Sequence, residues 1–254
     1  MIIILSPSKT LGNITTNFSV NSSQPEFIDQ SEAIVKRMRD LSTTDLKGLM
    51  KISQSLASLN HERFIKWHKP FNLSNSNPAL LTFKGDVYEG LSAADFTKKD
   101  FEFAQNHLRI LSGLYGVLRP LDLMQPYRLE MGTKIDVGDY ENLYKLWQDR
   151  LTEYFNNELL KSKEKVLVNL ASNEYSKAIK LKKLNGIVVT PVFKEQKGEE
   201  FKTIAIYAKR ARGLMSRFVI KQAITNVEQL KSFSEEGYIF SSDLSEGNKM
   251  VFIR

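Results

Sequence analysis

No cysteine occurs in the 254 residues, which excludes disulfides, thiolate nucleophiles, thiol redox switching and cysteine-ligated zinc or iron–sulfur clusters. Histidine is nearly as scarce. His61, His68 and His107 are scattered without the spacing of a His-Glu-x-x-His helix, so only a carboxylate-rich oxygen site would remain for a metal ion. No metal and no cofactor are expected. No apolar run approaches the roughly 20 residues that span a bilayer. The opening MIIIL stops at Ser6 and has neither the basic start nor the length of a signal peptide. A cytoplasmic protein without a membrane partner is the expectation. Internal repeats and low-complexity tracts are missing too, and Ser-Pro-Ser-Lys-Thr at 6–10 lacks the glycine spacing of a phosphate-binding P-loop.

What is present is positive charge. The formal net charge of +7 favours an anionic partner but does not choose among nucleic acid, nucleotides and acidic lipids. Short apolar runs at 2–5 and 165–172 read as buried strands, and Ser23 with Glu26, Ser42 with Asp45 and Thr97 with Asp100 read as capping boxes opening helices. Tyr140, Leu143, Tyr144, Trp147, Leu151, Phe155 and Leu159 trace a long amphipathic helix. Two hairpins are expected, IVVTPVF with FKTIAIYA and GYIFSS with KMVFIR. The Asn/Ser-rich run at 72–78 is the best linker candidate and is too short to mark a domain boundary.

Residues 101–132 concentrate unusual features. Phe101, Ala104, Leu108 and Leu111 share a helical face, after which Gly113 and Gly116 bracket Leu114 and Tyr115 in a tight turn whose amides can cradle an anion. The same turn reads equally well as a helix connection packed into the core. Arg119 and Arg128 follow it. The densest basic patch is KRARGLMSRFVIK, with Lys209, Arg210, Arg212, Arg217 and Lys221. Polar groups also gather where strands end: Ser6 and Lys9 after the first, Lys84, Asp86 and Tyr88 in FKGDVYEGL, and Asn169, Ser172, Glu174 and Tyr175 near 170. Such groups support proton transfer or nucleophilic chemistry on a nucleotide or nucleic acid, the alternative to binding alone, although no catalytic arrangement is complete. Capping alone would explain Ser172.

SPSKTL at 6–11, FKGDVYEGL at 83–91, LRILSGLYGVLRPLDLMQPYRLEMG, NLASNEY at 169–175 and YAKRARGLMSRF at 207–218 together resemble the bacterial YaaA family of peroxide-stress resistance proteins. One position departs, since Ser8 stands where the family pattern has alanine, a small-for-small exchange. The resemblance implies a single compact domain over 1–254, α/β (mixed α+β) and of uncommon topology, with a helix-hairpin-helix-like element that maps onto Gly113, Leu114, Tyr115 and Gly116. It implies a cytoplasmic protein that limits oxidative damage and free intracellular iron during peroxide stress, with a basic cleft binding DNA by backbone or shape, distorted duplex included. Lys9, Lys84, Arg119, Arg128, Lys209, Arg210, Arg212 and Arg217 lie in the matched motifs and would supply that cleft's cations. A monomer is expected.

Overall fold

The aliphatic run at the start forms β1 (Ile2–Leu5), fully buried because parallel strands flank it on both sides. In this computed structural model, which describes residues 1–16 and 21–254, the short β2 (Thr10–Leu11) comes next. The helices α1 (Ile28–Arg39), α2 (Thr43–Met50) and α3 (Gln54–Lys66) then follow. β3 (Asn77–Pro78), α4 (Ala79–Thr82) and β4 (Phe83–Lys84) lead into α5 (Asp86–Leu91). α6 (Lys98–His107) runs straight into β5 (Leu108–Ser112), which turns back as β6 (Gly116–Leu118) before β7 (Leu123–Met124). The long α7 (Leu143–Lys161) precedes β8 (Val166–Asn169) and the single turn α8 (Asn173–Ser176). β9 (Ile187–Lys197), β10 (Glu200–Lys202), α9 (Ala205–Lys221), β11 (Ile239–Glu246) and β12 (Lys249–Ile253) complete the order.

The main sheet runs β11-β12-β9-β8-β1-β5-β6, with β10 paired to β9. From β12 to β5 every pairing is parallel, and β6 and β11 are antiparallel at the two edges. One hydrophobic cluster joins the sheet to its helices, so the α/β expectation and the single compact domain hold.

Local signals succeeded where no distant partner competed. The capping boxes at Ser42–Asp45 and Thr97–Asp100 both form. The one at Ser23–Glu26 does not. α1 starts after Phe27 without a side-chain cap, and the Ser23 hydroxyl instead donates to Asp122 Oδ1 at 2.6 Å. The helix expected through Leu111 ends at His107, because Leu108 to Ile110 pair in register with Ile3 to Leu5 of β1. Tertiary pairing overrides helical periodicity there. FKTIAIYA divides between β10 and α9, whereas the closing hairpin forms as β11 and β12.

The helix-hairpin-helix expectation is corrected at Gly113–Gly116. Those residues connect β5 to β6, two strands, and Leu114 and Tyr115 are fully buried. The amides of Leu114 and Tyr115 both donate to Ser112 Oγ, at 3.2 and 2.9 Å. Their glycines serve close packing. A Cβ on Gly113 would lie 2.3 Å from the Leu129 carbonyl oxygen, and one on Gly116, at φ +68°, would lie 2.6 Å from the Trp147 ring.

Candidate functional site

In a parallel sheet the loops leaving the carboxyl ends diverge, and polar side chains find room between them. Ser6 follows β1 and Ser172 follows β8. The Ser172 amide donates to Ser6 Oγ at 2.8 Å, and Ser6 Oγ donates to Ser172 Oγ at 3.2 Å. From α5 the Tyr88 hydroxyl donates to the Ser6 carbonyl at 2.9 Å. These bonds tie α5 and both loops into one rim.

Beside that rim, Lys9 Nζ lies 2.9 Å from Glu130 Oε1, and Arg128 Nη2 donates to the same oxygen at 3.1 Å. Two cations share one carboxylate, so the cluster keeps a net positive charge. Burial opposes ionisation of Glu130, but the Lys9 hydrogen bond and the Arg128 charge outweigh it and hold its pKa below the usual range. Pro7, Ser8, Lys9, Tyr127, Arg128, Leu129, Glu130 and Tyr175 line a cavity of about 50 Å³. Burial pushes both phenols up, leaving Tyr127 and Tyr175 neutral, and the Tyr127 hydroxyl sits 2.6 Å from Ser112 Oγ. Arg128 Nε and Glu130 Oε2 are buried without a hydrogen-bond partner among the described residues. An unmet buried polar atom costs about 1–3 kcal/mol, more where charge is involved.

The remaining expected site residues separate by environment. Glu174 Oε1 accepts from the Gly132 amide at 2.9 Å, and Asn169 Oδ1 from the Ala171 amide at 3.1 Å, so both hold loop backbone. Ser172 stands at the N-cap of α8 but makes no capping bond, because its hydroxyl meets Ser6. Asp86 opens α5 and is half-buried.

Three of the expected cations are each neutralised by a carboxylate. Arg217 forms a two-pronged pair with Asp95, at 2.7 and 2.5 Å, and its Nη1 also donates to the Ser92 carbonyl. Arg210 Nε donates to Glu236 Oε1 at 2.7 Å. Arg119 Nε donates to Asp122 Oδ1 at 3.0 Å and lines a different cavity, at the amino ends of the strands. It therefore does not join Lys9 and Arg128.

Lys84, Lys209 and Arg212 have no carboxylate within ion-pairing distance among the described residues. The exposed Lys84 crosses Gly12, where a Cβ would meet its Cε at 2.2 Å. Arg212 is half-buried, and desolvation lowers its pKa. α5 links the rim to α9 by a tight crossing: a Cβ on Gly213 would lie 1.8 Å from the Val87 carbonyl oxygen, and one on Gly90 2.3 Å from that of Arg210. Sequence reasoning passed over Glu130, Tyr127 and Ser8. The signal for Glu130 was available, an acid two residues beyond Arg128 in a stretch already singled out.

A family model described as peroxide stress protein YaaA matches residues 1–244. A UPF0246 protein of Psychromonas ingrahamii is 48% identical over 254 residues, covering 100% of this chain and 99% of its own length. A UPF0246 protein of Saccharophagus degradans is 49% identical over the same span, with 100% and 99% coverage.

Proposed function

The chain belongs to the peroxide stress protein YaaA family, and from that premise we propose that it limits oxidative damage by binding DNA through side-chain cations near the sheet's carboxyl edge. The observation that carries this reading is the sharing of Glu130 by Lys9 and Arg128, which leaves net positive charge beside an unmet guanidinium N–H. Lys84 on the rim and Lys209 and Arg212 on α9, beyond α5, extend the supply of uncompensated cations. With the glycine turn buried, contact with phosphate falls to side chains, which position the nucleic acid without reading its sequence. A role in limiting free iron rests on the family alone: among the described residues no three His, Cys, Asp or Glu side chains gather as a metal-binding group. A catalytic role draws no comparable support, because Ser6, Tyr88, Asn169, Ser172 and Glu174 direct hydrogen bonds to one another and to nearby backbone.

The test is an equilibrium titration of duplex DNA between about 50 and 200 mM salt. Lys84, Lys209, Arg212 and the net charge of the Lys9–Arg128–Glu130 cluster amount to about four phosphate contacts. The logarithm of affinity is expected to fall with that of salt at a slope of about −3 to −4. No binding at the lowest salt, or an affinity indifferent to salt, overturns the proposal.

A further inference from the structure

We infer that the cavity between Arg128, Glu130, Tyr127 and Tyr175 receives the hydrogen-bonding edge of an unpaired nucleobase. The inference rests on the nucleic-acid reading above and names which part of the polymer enters the protein. Arg128 Nη2–H and Nε–H project from the same edge of the guanidinium as a fixed fork. Nη2 engages Glu130 Oε1, while Nε and Glu130 Oε2 are both buried and, among the described residues, unmet. An occupant that satisfies the two must present an acceptor to Nε–H and a donor to Oε2.

That requirement discriminates. A phosphate satisfies the guanidinium but brings only acceptors and further negative charge to the carboxylate. A simple cation satisfies the carboxylate and is repelled by the guanidinium. A nucleobase edge meets both demands, as a ring nitrogen beside an exocyclic amine in adenine and cytosine, or as a carbonyl beside a ring N–H in guanine and thymine. Base pairing hides that edge, so the base must be unpaired or turned out of the stack.

The walls agree with a planar, uncharged group. Tyr127 and Tyr175 are neutral aromatics, and the Tyr127 hydroxyl is engaged by Ser112 Oγ. A volume of about 50 Å³ admits the leading edge of a base and leaves sugar and phosphate outside, where the Lys9 side chain is 64% exposed. The cavity also has room for more than one water, the competing occupant.

The deciding experiment measures fluorescence anisotropy of DNA duplexes carrying one bulged nucleotide, with each of the four bases, against the same duplex with an abasic bulge. Nucleosides alone are titrated calorimetrically to separate a free base from one presented by the polymer. The expected result is about tenfold tighter binding of base-bearing bulges. That ratio falls to about one in Arg128→Lys, which keeps a cation and loses Nε–H, and in Glu130→Gln. Melting curves check that each variant folds, and the wild-type ratio decides the matter even where one does not. Equal affinity for abasic and base-bearing bulges, with DNA still bound, overturns the base pocket and spares the nucleic-acid reading. Nucleoside binding without DNA binding supports the pocket's chemistry and overturns the nucleic-acid reading. Binding of neither overturns both and leaves a cavity for water only.

Discussion

The two ends of the parallel sheet make opposite bargains with buried charge. At the amino ends of β1, β5 and β8 lies a cavity of about 730 Å³, within the size range of small-molecule sites. Its buried guanidinium is fully engaged. Arg109 donates to the Tyr154 hydroxyl at 2.7 Å and to the carbonyls of Gln105 and Leu108 at 2.9 and 2.8 Å, and pairs with Glu158. At the carboxyl ends the cavity beside the Lys9–Arg128–Glu130 cluster is about 50 Å³, yet Arg128 Nε and Glu130 Oε2 lack partners among the described residues. The larger void holds the better-satisfied charge. Unmet hydrogen-bonding capacity, more than volume, marks the end where a ligand would lower the free energy.

Three measurements test this contrast. Glu158→Ala leaves the Arg109 guanidinium buried without its carboxylate, and is expected to lower the unfolding free energy by about 3 kcal/mol in urea titrations. Arg128→Met removes a group already half-unmet, keeps the Lys9–Glu130 contact and should cost less than about 1 kcal/mol. Equal losses would erase the difference between the ends. Next in size, Lys84→Glu and Lys209→Glu are each expected to weaken duplex binding by about tenfold and to flatten the salt slope by about one. Lys163→Glu, on the amino-end cavity, should leave affinity within about twofold. A larger effect at Lys163 would move DNA to the other end of the sheet.

The smallest effect is a pH dependence confined to the amino end. Burial lowers the His107 pKa against the opposing hydrogen bond to the Met1 carbonyl, and the N-terminal ammonium and Arg109 lower it further. The folded chain therefore binds the proton less readily than the unfolded one. Stability is present in full above the unfolded value of about 6.5 and declines as pH falls through the lowered folded value. Glu130, also lowered, loses its contribution only below the unfolded carboxylate value of about 4.3. Melting temperatures from about pH 7 to 5 should drop in the wild type and stay flatter in His107→Asn. Identical profiles would remove His107 from the account.

Features set within a few residues were legible in the sequence. Ser42 with Asp45 and Thr97 with Asp100 capped their helices because donor and acceptor are three residues apart and nothing distant competed. Ser23 carried the same signal and was drawn instead to Asp122. Gly113 and Gly116 were expected either to bring exposed amides up to another molecule or to pack as a connection in the core, and the group that approaches them belongs to the chain itself. That group is the Leu129 carbonyl and the Trp147 ring, and both come from segments remote in sequence. Lys9 and Arg128 were legible as cations and Glu130 as an acid two residues beyond one of them, but that Lys9 shares this acid was not, since nothing local joins the loop after β1 to residue 130.

Side chains and their spacing were enough to place β1, β8, the apolar face of α7, the positive balance and a motif set that identifies the family. Each follows from side-chain type and short-range spacing. Which arginines are neutralised, which glycines are buried and which end of the sheet is left with unmet polar atoms became visible in the folded chain alone. Ion pairing and desolvation depend on groups brought together by folding, and no spacing along the chain encodes those distances.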